Sequence, residues 1–450
     1  MPESDKCRHE IRVIVDTALN AGAAEYANLG DIAMLQVGIR RLQELWPDAR
    51  IHVLTDSPGK LAQFCPGAIP LPRAGRDLWV GGTALIGNVH QFLPEMVSSL
   101  LRGLSRILRL RFSALFRFLL AIRLALRDRE NTKSMVNAFL SVVNTADLFV
   151  ECGAGGFTDS SRAWSLSTLN TLEEAIHRRI PAVMLGQGLG PLSDPEVIKR
   201  ARHILPDVAL ITLRGTKNDT GLAKSLGFNM MKVTTTGDEA IELAYEARAG
   251  KPGEALGINL RLAGYSEVDK DTLSKIGSVL QRFVSVHRVE LLPVPIAFHE
   301  WANDPLSIRE LLAGFDDRAG AEVTFRTPQE VIEQISRCKL VVTGAYHGAV
   351  FALAQGIPVV ALSASEEYAA KFQGLKEQFG LGCEVVLLNS PDLPDRLATA
   401  IDESWQSAER VRLPLQEAAE RQVKLSRDAY RRTRDMITSQ KSLQAMACNM

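Results

Sequence analysis

One histidine closes an apolar run: Val341-Val342-Thr343-Gly344-Ala345-Tyr346-His347-Gly348-Ala349-Val350 reads as a strand that turns sharply into a small-residue helix. The turn places His347 in the first helical residues, where unpaired backbone N–H groups and the positive dipole end favour an anion and a neutral imidazole. An imidazole that exchanges a proton near neutral pH suits general acid/base work, typically worth ~10²–10⁴ in rate. A histidine that merely packs under the turn is the alternative. The two flanking glycines and the position at a strand's carboxyl end favour the chemical role.

Glycines also follow two earlier apolar runs, in Glu151-Cys152-Gly153-Ala154-Gly155-Gly156-Phe157-Thr158-Asp159 and in Gly186-Gln187-Gly188-Leu189-Gly190-Pro191. Backbone without side chains can approach a phosphate or carboxylate closely, which makes Gly153, Gly155, Gly156, Gln187 and Gly188 candidate ligand-binding residues. Arg214 emerges after the run Val208–Leu213, and Arg261 after Leu256–Leu260; a guanidinium fork there matches anionic oxygens, although a plain surface arginine is the competing reading. His299, Glu300 and Asp304 form a further polar cluster after Leu291–Pro295. The cluster lacks the ligand spacing of a metal site, so no metal is expected, and His299 is kept as a substrate-binding candidate.

Bringing these groups together requires strands whose carboxyl ends face one crevice. The opening supplies the pattern: Ile11–Val15, a loop through Asn28-Leu29-Gly30-Asp31, apolar positions Leu35, Ile39, Leu42 and Leu45 at helical spacing, Pro47, and Ile51–Leu54 together read as a βαβ unit. Further strands are predicted at Asp147–Glu151, Ala182–Leu185, Val208–Leu213 and Met231–Thr235. After a turn-rich link at Ala249–Gly253 come Leu256–Leu260, Val289–Val294, Val323–Phe325, Leu340–Thr343 and Pro358–Leu362. The expected fold is therefore α/β with two Rossmann-like, doubly wound domains in a GT-B-like pair: residues 1–250 with a helical insertion at about 91–140, residues 251–390, and a helical tail at 391–450.

Composition narrows the classes. A chain of 450 residues exceeds what one core usually supports. Its 52 Lys plus Arg match its 52 Asp plus Glu, which gives no global reason to expect a nucleic acid partner. The six cysteines are scattered without a C-x-x-C pair, and the N-terminus is polar, so a reducing cytoplasm is the expected location. One segment departs from the average: Val97–Arg127 has no acidic residue and interleaves seven arginines with Leu, Ile and Phe. It reads as an insertion whose apolar face covers the first domain, with contact at the inner face of an anionic membrane as the alternative.

Taken in order, Asn28-Leu29-Gly30-Asp31, the Gly153–Asp159 loop, Gly186–Pro191, Leu213-Arg214 with the helix to Gly227, and Tyr346-His347 with Gly356-Ile357-Pro358 resemble the polysaccharide pyruvyl transferases over most of the chain. The resemblance implies transfer of a pyruvyl unit from phosphoenolpyruvate to two hydroxyls of a saccharide as a ketal, in exopolysaccharide or cell-envelope synthesis, with no cofactor. It implies His347 as acid/base, Arg214 and the glycine loops on the donor, and Asn28, Gly30, Asp31, Tyr346 and Lys371 around it. The chain departs from the family pattern at Ala345, where an arginine is usual, and at Gly215, where an acidic residue often follows Arg214. A nucleotide-sugar glycosyltransferase and a non-catalytic saccharide-binding relative are the other readings of the same architecture.

Overall fold

The computed structural model describes residues 10–17, 25–87, 92–126, 130–153, 155, 157–215, 217–261, 270–300, 302–313, 315 and 325–448. The chain opens with β1 (Arg12–Thr17), α1 (Leu29–Leu45), β2 (Arg50–Thr55), α2 (Pro58–Phe64), β3 (Ile69–Pro72) and α3 (Arg73–Val80). Helices α4 (Glu95–Arg111), α5 (Ser113–Ala125) and α6 (Glu130–Val143) intervene. Then follow β4 (Leu148–Cys152), α7 (Arg162–His177), β5 (Ala182–Gln187), α8 (Pro195–Ile204), β6 (Leu210–Leu213), α9 (Lys217–Ser225), β7 (Val233–Thr235) and α10 (Ala240–Glu246). The second half holds β8 (Ala255–Asn259), α11 (Lys270–His287), β9 (Leu291–Pro293), the hairpin β10 (Phe298–His299) and β11 (Ala302–Asn303), α12 (Asp304–Leu311) and α13 (Pro328–Ser336). It continues with β12 (Cys338–Thr343), α14 (Tyr346–Gln355), β13 (Val359–Ser363), α15 (Glu366–Phe379), β14 (Cys383–Leu387) and α16 (Leu393–Cys448).

Two parallel sheets result, in the orders β3-β2-β1-β4-β5-β6-β7 and β14-β13-β12-β8-β9, the α/β pair of a GT-B-like fold. Strands β4, β5 and β8 are buried at every position, because helices cover both faces and continuous apolar runs are what such strands need. Strand order reverses beside β1 in the first sheet and beside β8 in the second, and crevices open at such switch points. The two halves meet directly: Asn28 and Ala297 form an antiparallel bridge, flanked by bonds from Leu29 N–H to Ile296 O (2.9 Å) and from Phe298 N–H to Ala27 O (2.7 Å).

Helix α16 spans 56 residues, about 84 Å at 1.5 Å per residue, and packs on α1, α10 and α14 as well as on strands of both sheets. A buried ionic cluster anchors it. Arg41 is 2% exposed, donates to Glu239 at 2.8 Å and to Glu242, and also reaches Ser426 of α16. Burial works to raise the Glu242 carboxyl, but Arg427 and Arg41 outweigh it and hold it at about 2. Removing Arg41 leaves the buried Glu239 carboxylate without its cation, while Glu242 keeps Arg40 and Arg427, so Arg41→Ala is expected to destabilise the fold by ~3–5 kcal/mol. An unchanged chemical-denaturation midpoint in that variant would show the cluster to be dispensable.

Elements β3, β14 and the β10–β11 hairpin carry no clear sequence signal, being short or flanked by proline and glycine. Of the strand expected at Val323–Phe325, residues 323 and 324 lie outside the described residues, and Phe325 belongs to no strand. The insertion corrects a second expectation. Helix α4 turns Ser98, Ser105 and Arg109 inward and leaves Leu100, Leu104 and Ile107 exposed, so its apolar face does not cover the first half. The cause is electrostatic: Arg109 pairs with Glu174 and lies 3.5 Å from Glu173, Arg106 lies 3.4 Å from Glu173, and Arg102 lies 4.0 Å from Glu196. Carboxylates on a buried wall select cations over leucines. Helices α5, through Phe116, Leu120 and Leu124, and α6, through Val136, Phe139 and Leu140, cover the domain instead.

Candidate active site

The cleft is built from loops at strand ends: Gly153 and Gly155 after β4, Gly188–Gly190 after β5, Arg214 after β6, Asp238 after β7, Arg261 after β8, and Tyr346 and His347 after β12. The first two loops are clasped together. Gly190 N–H donates to Phe157 O at 2.7 Å, Asp159 N–H to Pro191 O at 3.0 Å, and the Asp159 carboxylate accepts from Ser193 and Asp194 N–H. Gly153 packs against Met34 of α1, while Gly156 lies outside the described residues.

Arg214 and His347 converge on one carboxylate that the sequence reading missed. Asp238 Oδ2 lies 3.2 Å from Arg214 Nη1 and 3.6 Å from His347 Nε2, an ion-pair separation longer than a formed hydrogen bond. Burial works to raise the Asp238 carboxyl, yet His347, Arg214 and the Ala240 N–H together hold it below the usual range. Its sequence signal is faint: a Gly-Asp pair after β7, with Gly237 at φ +84° making the turn. Arg214 is 8% exposed, and its guanidinium carbon sits 4.6 Å from the Tyr346 ring centroid. Burial pushes the Tyr346 phenol well up, so it stays protonated, whereas Arg214, with Tyr346 and the carboxylates of Asp238, Asp219 and Asp31 around it, stays charged despite burial.

His347 is 6% exposed and is wedged between Asp238 and the start of α1. A Cβ on Gly30 would lie 1.9 Å from Cγ of the imidazole, so only glycine allows that approach. Asn28 caps α1, accepting from Gly30 N–H at 2.9 Å and from Asp31 N–H at 3.4 Å. Asp31, in the same first turn, has its carboxyl raised by burial against the opposing pull of His347 and Arg214. The start of α14 has no side-chain cap, which leaves its N–H groups to a ligand or solvent.

Beside these groups opens a pocket of about 530 Å³ lined by Gly155, the Gly188–Gly190 backbone, Arg214, Asn218, Tyr346 and Lys371. Gly155 packs on Arg214, since a Cβ there would meet Nη2 at 2.1 Å. Asp219, one turn after Gly215, fills the space that Gly215 leaves and accepts from Leu189 N–H at 3.1 Å. Lys371 lies 4.7 Å over the Tyr368 ring.

Three candidates stand apart from this pocket. The Gln187 side chain is fully buried and its amide N–H groups donate to Glu151 O at 3.1 Å and Leu185 O at 3.2 Å, which ties β4 to β5, while its Oε1 has no partner among the described residues. Arg261 and His299 belong to the second half's wall. Arg261 makes two bonds to Asp304, at 3.0 and 3.1 Å, and lines a small adjoining cavity with Gly344, Ser365 and Tyr368. His299 is buried, and burial together with Arg261 lowers its pKa. Ala345 is fully buried, so the position of the usual family arginine presents only a methyl group. Among the described residues, no group of three His, Cys, Asp or Glu is placed to hold a metal ion.

The fold has solved counterparts at low identity. A protein assigned as a UDP-N-acetylglucosamine 2-epimerase from Listeria monocytogenes aligns at TM-score 0.51 and 12% identity, over 91% of this chain and 94% of that one. The UDP-GlcNAc 2-epimerase of Neisseria meningitidis aligns at 0.50 and 13%, over 92% and 99%, and a glycosyltransferase of Rickettsia africae at 0.50 and 11%, over 96% and 99%. No curated protein sequence matches the chain. The profile of one family matches residues 28–366, a span that runs from the Asn28 cap through the His347 turn and into α15. The chain therefore belongs to the polysaccharide pyruvyl transferase family, a family of transferases.

Proposed function

We propose that the protein transfers a pyruvyl unit from phosphoenolpyruvate to two hydroxyls of a saccharide, forming a ketal and releasing phosphate, in exopolysaccharide or cell-envelope synthesis. The observation that carries this reading is the Arg214–Asp238–His347 constellation at the edge of a glycine-lined pocket that also receives Lys371. Phosphoenolpyruvate is a small, multiply charged anion. Arg214, Lys371 and the Gly188–Gly190 backbone would hold its phosphate and carboxylate.

In the reaction the methylene carbon of the donor takes a proton, so its C=C electron pair becomes a C–H bond and positive charge develops at the carbon bearing the phosphate. One acceptor hydroxyl bonds to that carbon and its proton replaces the one given to the methylene; the C–O bond to phosphate breaks, and a second hydroxyl closes the ketal as its proton leaves with the phosphate. His347 is the proton carrier, and ionised Asp238 stabilises the imidazolium form.

Thermal shift tests the reading, because a ligand that binds only the folded state raises the midpoint. Phosphoenolpyruvate should raise it by several degrees at saturation. A response to UDP and none to phosphoenolpyruvate would favour a nucleotide-sugar reaction, the reading that the epimerase and glycosyltransferase folds support. Gly155→Ala, whose methyl displaces the Arg214 guanidinium, should weaken the phosphoenolpyruvate response at least ~10-fold in apparent affinity, since charge-assisted bonds are worth ~1.5–3 kcal/mol. The unliganded midpoint should fall as well, because the displaced guanidinium also pairs with buried Asp238. An unaltered response would separate Arg214 from donor binding.

A further inference from the structure

The α4–α5 hairpin is amphipathic the wrong way round for a solvated helix pair. Met96 is 82% exposed, Leu100 64%, Leu104 53% and Ile107 51%, and they recur along the outer side of α4, while Ser98, Ser105 and Arg109 face the protein. The chain reverses at Phe112, 58% exposed, and α5 continues the surface with Leu115, Phe118 and Ile122 to Leu126. An apolar face that runs about 17 Å along α4 from Met96 to Ile107 and continues onto α5 is uncommon on a soluble surface and marks a contact site.

Charge says what the contact is. The arginines of α4 that face inward are committed to Glu173, Glu174 and Glu196. Arg111 and Arg117 are exposed, Arg117 with one donor on the neutral Asn137 amide at 3.0 Å, and no acidic residue occurs from Val97 to Leu126. A second copy of the chain docking isologously would set this basic, acid-free face against itself, with no carboxylate in the segment to answer Arg111 or Arg117. A bilayer with anionic headgroups answers both features, taking the leucine and phenylalanine side chains into its interfacial layer and the guanidinium groups onto its phosphates. No helix among the described residues is long and apolar enough to cross a membrane. We infer that the α4–α5 face docks the protein peripherally on an anionic lipid bilayer, a property independent of the reaction in the cleft.

Full-length protein and vesicles of phosphatidylglycerol with phosphatidylcholine, compared with phosphatidylcholine alone, test this by flotation. The wild type should float with the anionic vesicles and lose most binding in high salt. Leu104→Ser with Phe118→Ser should lower the partition coefficient at least ~10-fold, and Arg111→Ala with Arg117→Ala by roughly 30-fold at low salt, since each basic group near such a surface contributes about 1 kcal/mol. These side chains are exposed, so the melting midpoint should hold. Three results would overturn the inference: wild type that stays soluble with anionic vesicles, variants that float as well as wild type, or a sedimenting dimer that the Leu104→Ser, Phe118→Ser variant dissociates.

Discussion

His347→Ala is expected to abolish phosphate release from phosphoenolpyruvate plus acceptor, lowering the rate by ~10²–10⁴, the usual worth of a positioned acid/base. The loss should fall on turnover more than on donor binding, because Arg214 and the glycine loops remain to hold the anion. The prediction has a structural control. His347 packs in the space that Gly30 leaves, so alanine creates a small void and costs some stability; a phosphoenolpyruvate-induced thermal shift close to that of wild type shows that the pocket survives. His347→Asn fills more of the void and should be equally inactive. Full activity in either variant would remove the imidazole from the mechanism. Asp238→Asn separates positioning from proton transfer: it keeps the shape, loses the charge facing His347 and Arg214, and should depress turnover while shifting its pH profile.

Arg214→Lys should cost ~10²–10³ in kcat/KM for phosphoenolpyruvate, the magnitude associated with removing one oriented donor to developing charge. An ammonium keeps the charge but cannot pair in a fork with anionic oxygens, stack 4.6 Å from the Tyr346 ring and reach Asp238 at the same time. Arg214→Met goes further, leaving Asp238 with only His347 as a cationic partner, and should cost stability as well. The lysine variant is the cleaner test. If Arg214→Lys retains donor affinity within twofold, the guanidinium holds Asp238 and Tyr346 in place and contributes nothing to the donor.

The alternation of apolar runs with helical periodicity made both parallel sheets readable, since strands buried on two faces leave an uninterrupted apolar signature. The same runs located their own carboxyl ends, so Arg214, His347 and the glycine loops could be named before any coordinates. Gln187 shows the limit of that logic: at a strand's last residue, one pleat decides between cleft and sheet, and the pleat directed its amide to Glu151 O and Leu185 O.

What the linear chain determined was the fold class, the family and the loops that line the cleft, because these depend on local pattern and order. Tertiary structure alone decided that Asp238 joins Arg214 to His347, that Asp219 stands in the space beside Gly215, and that α4 faces its leucines outward. Those outcomes depend on which distant carboxylate meets which cation. Helical periodicity is blind to that, since it gives the angle between two faces and not which one the protein keeps.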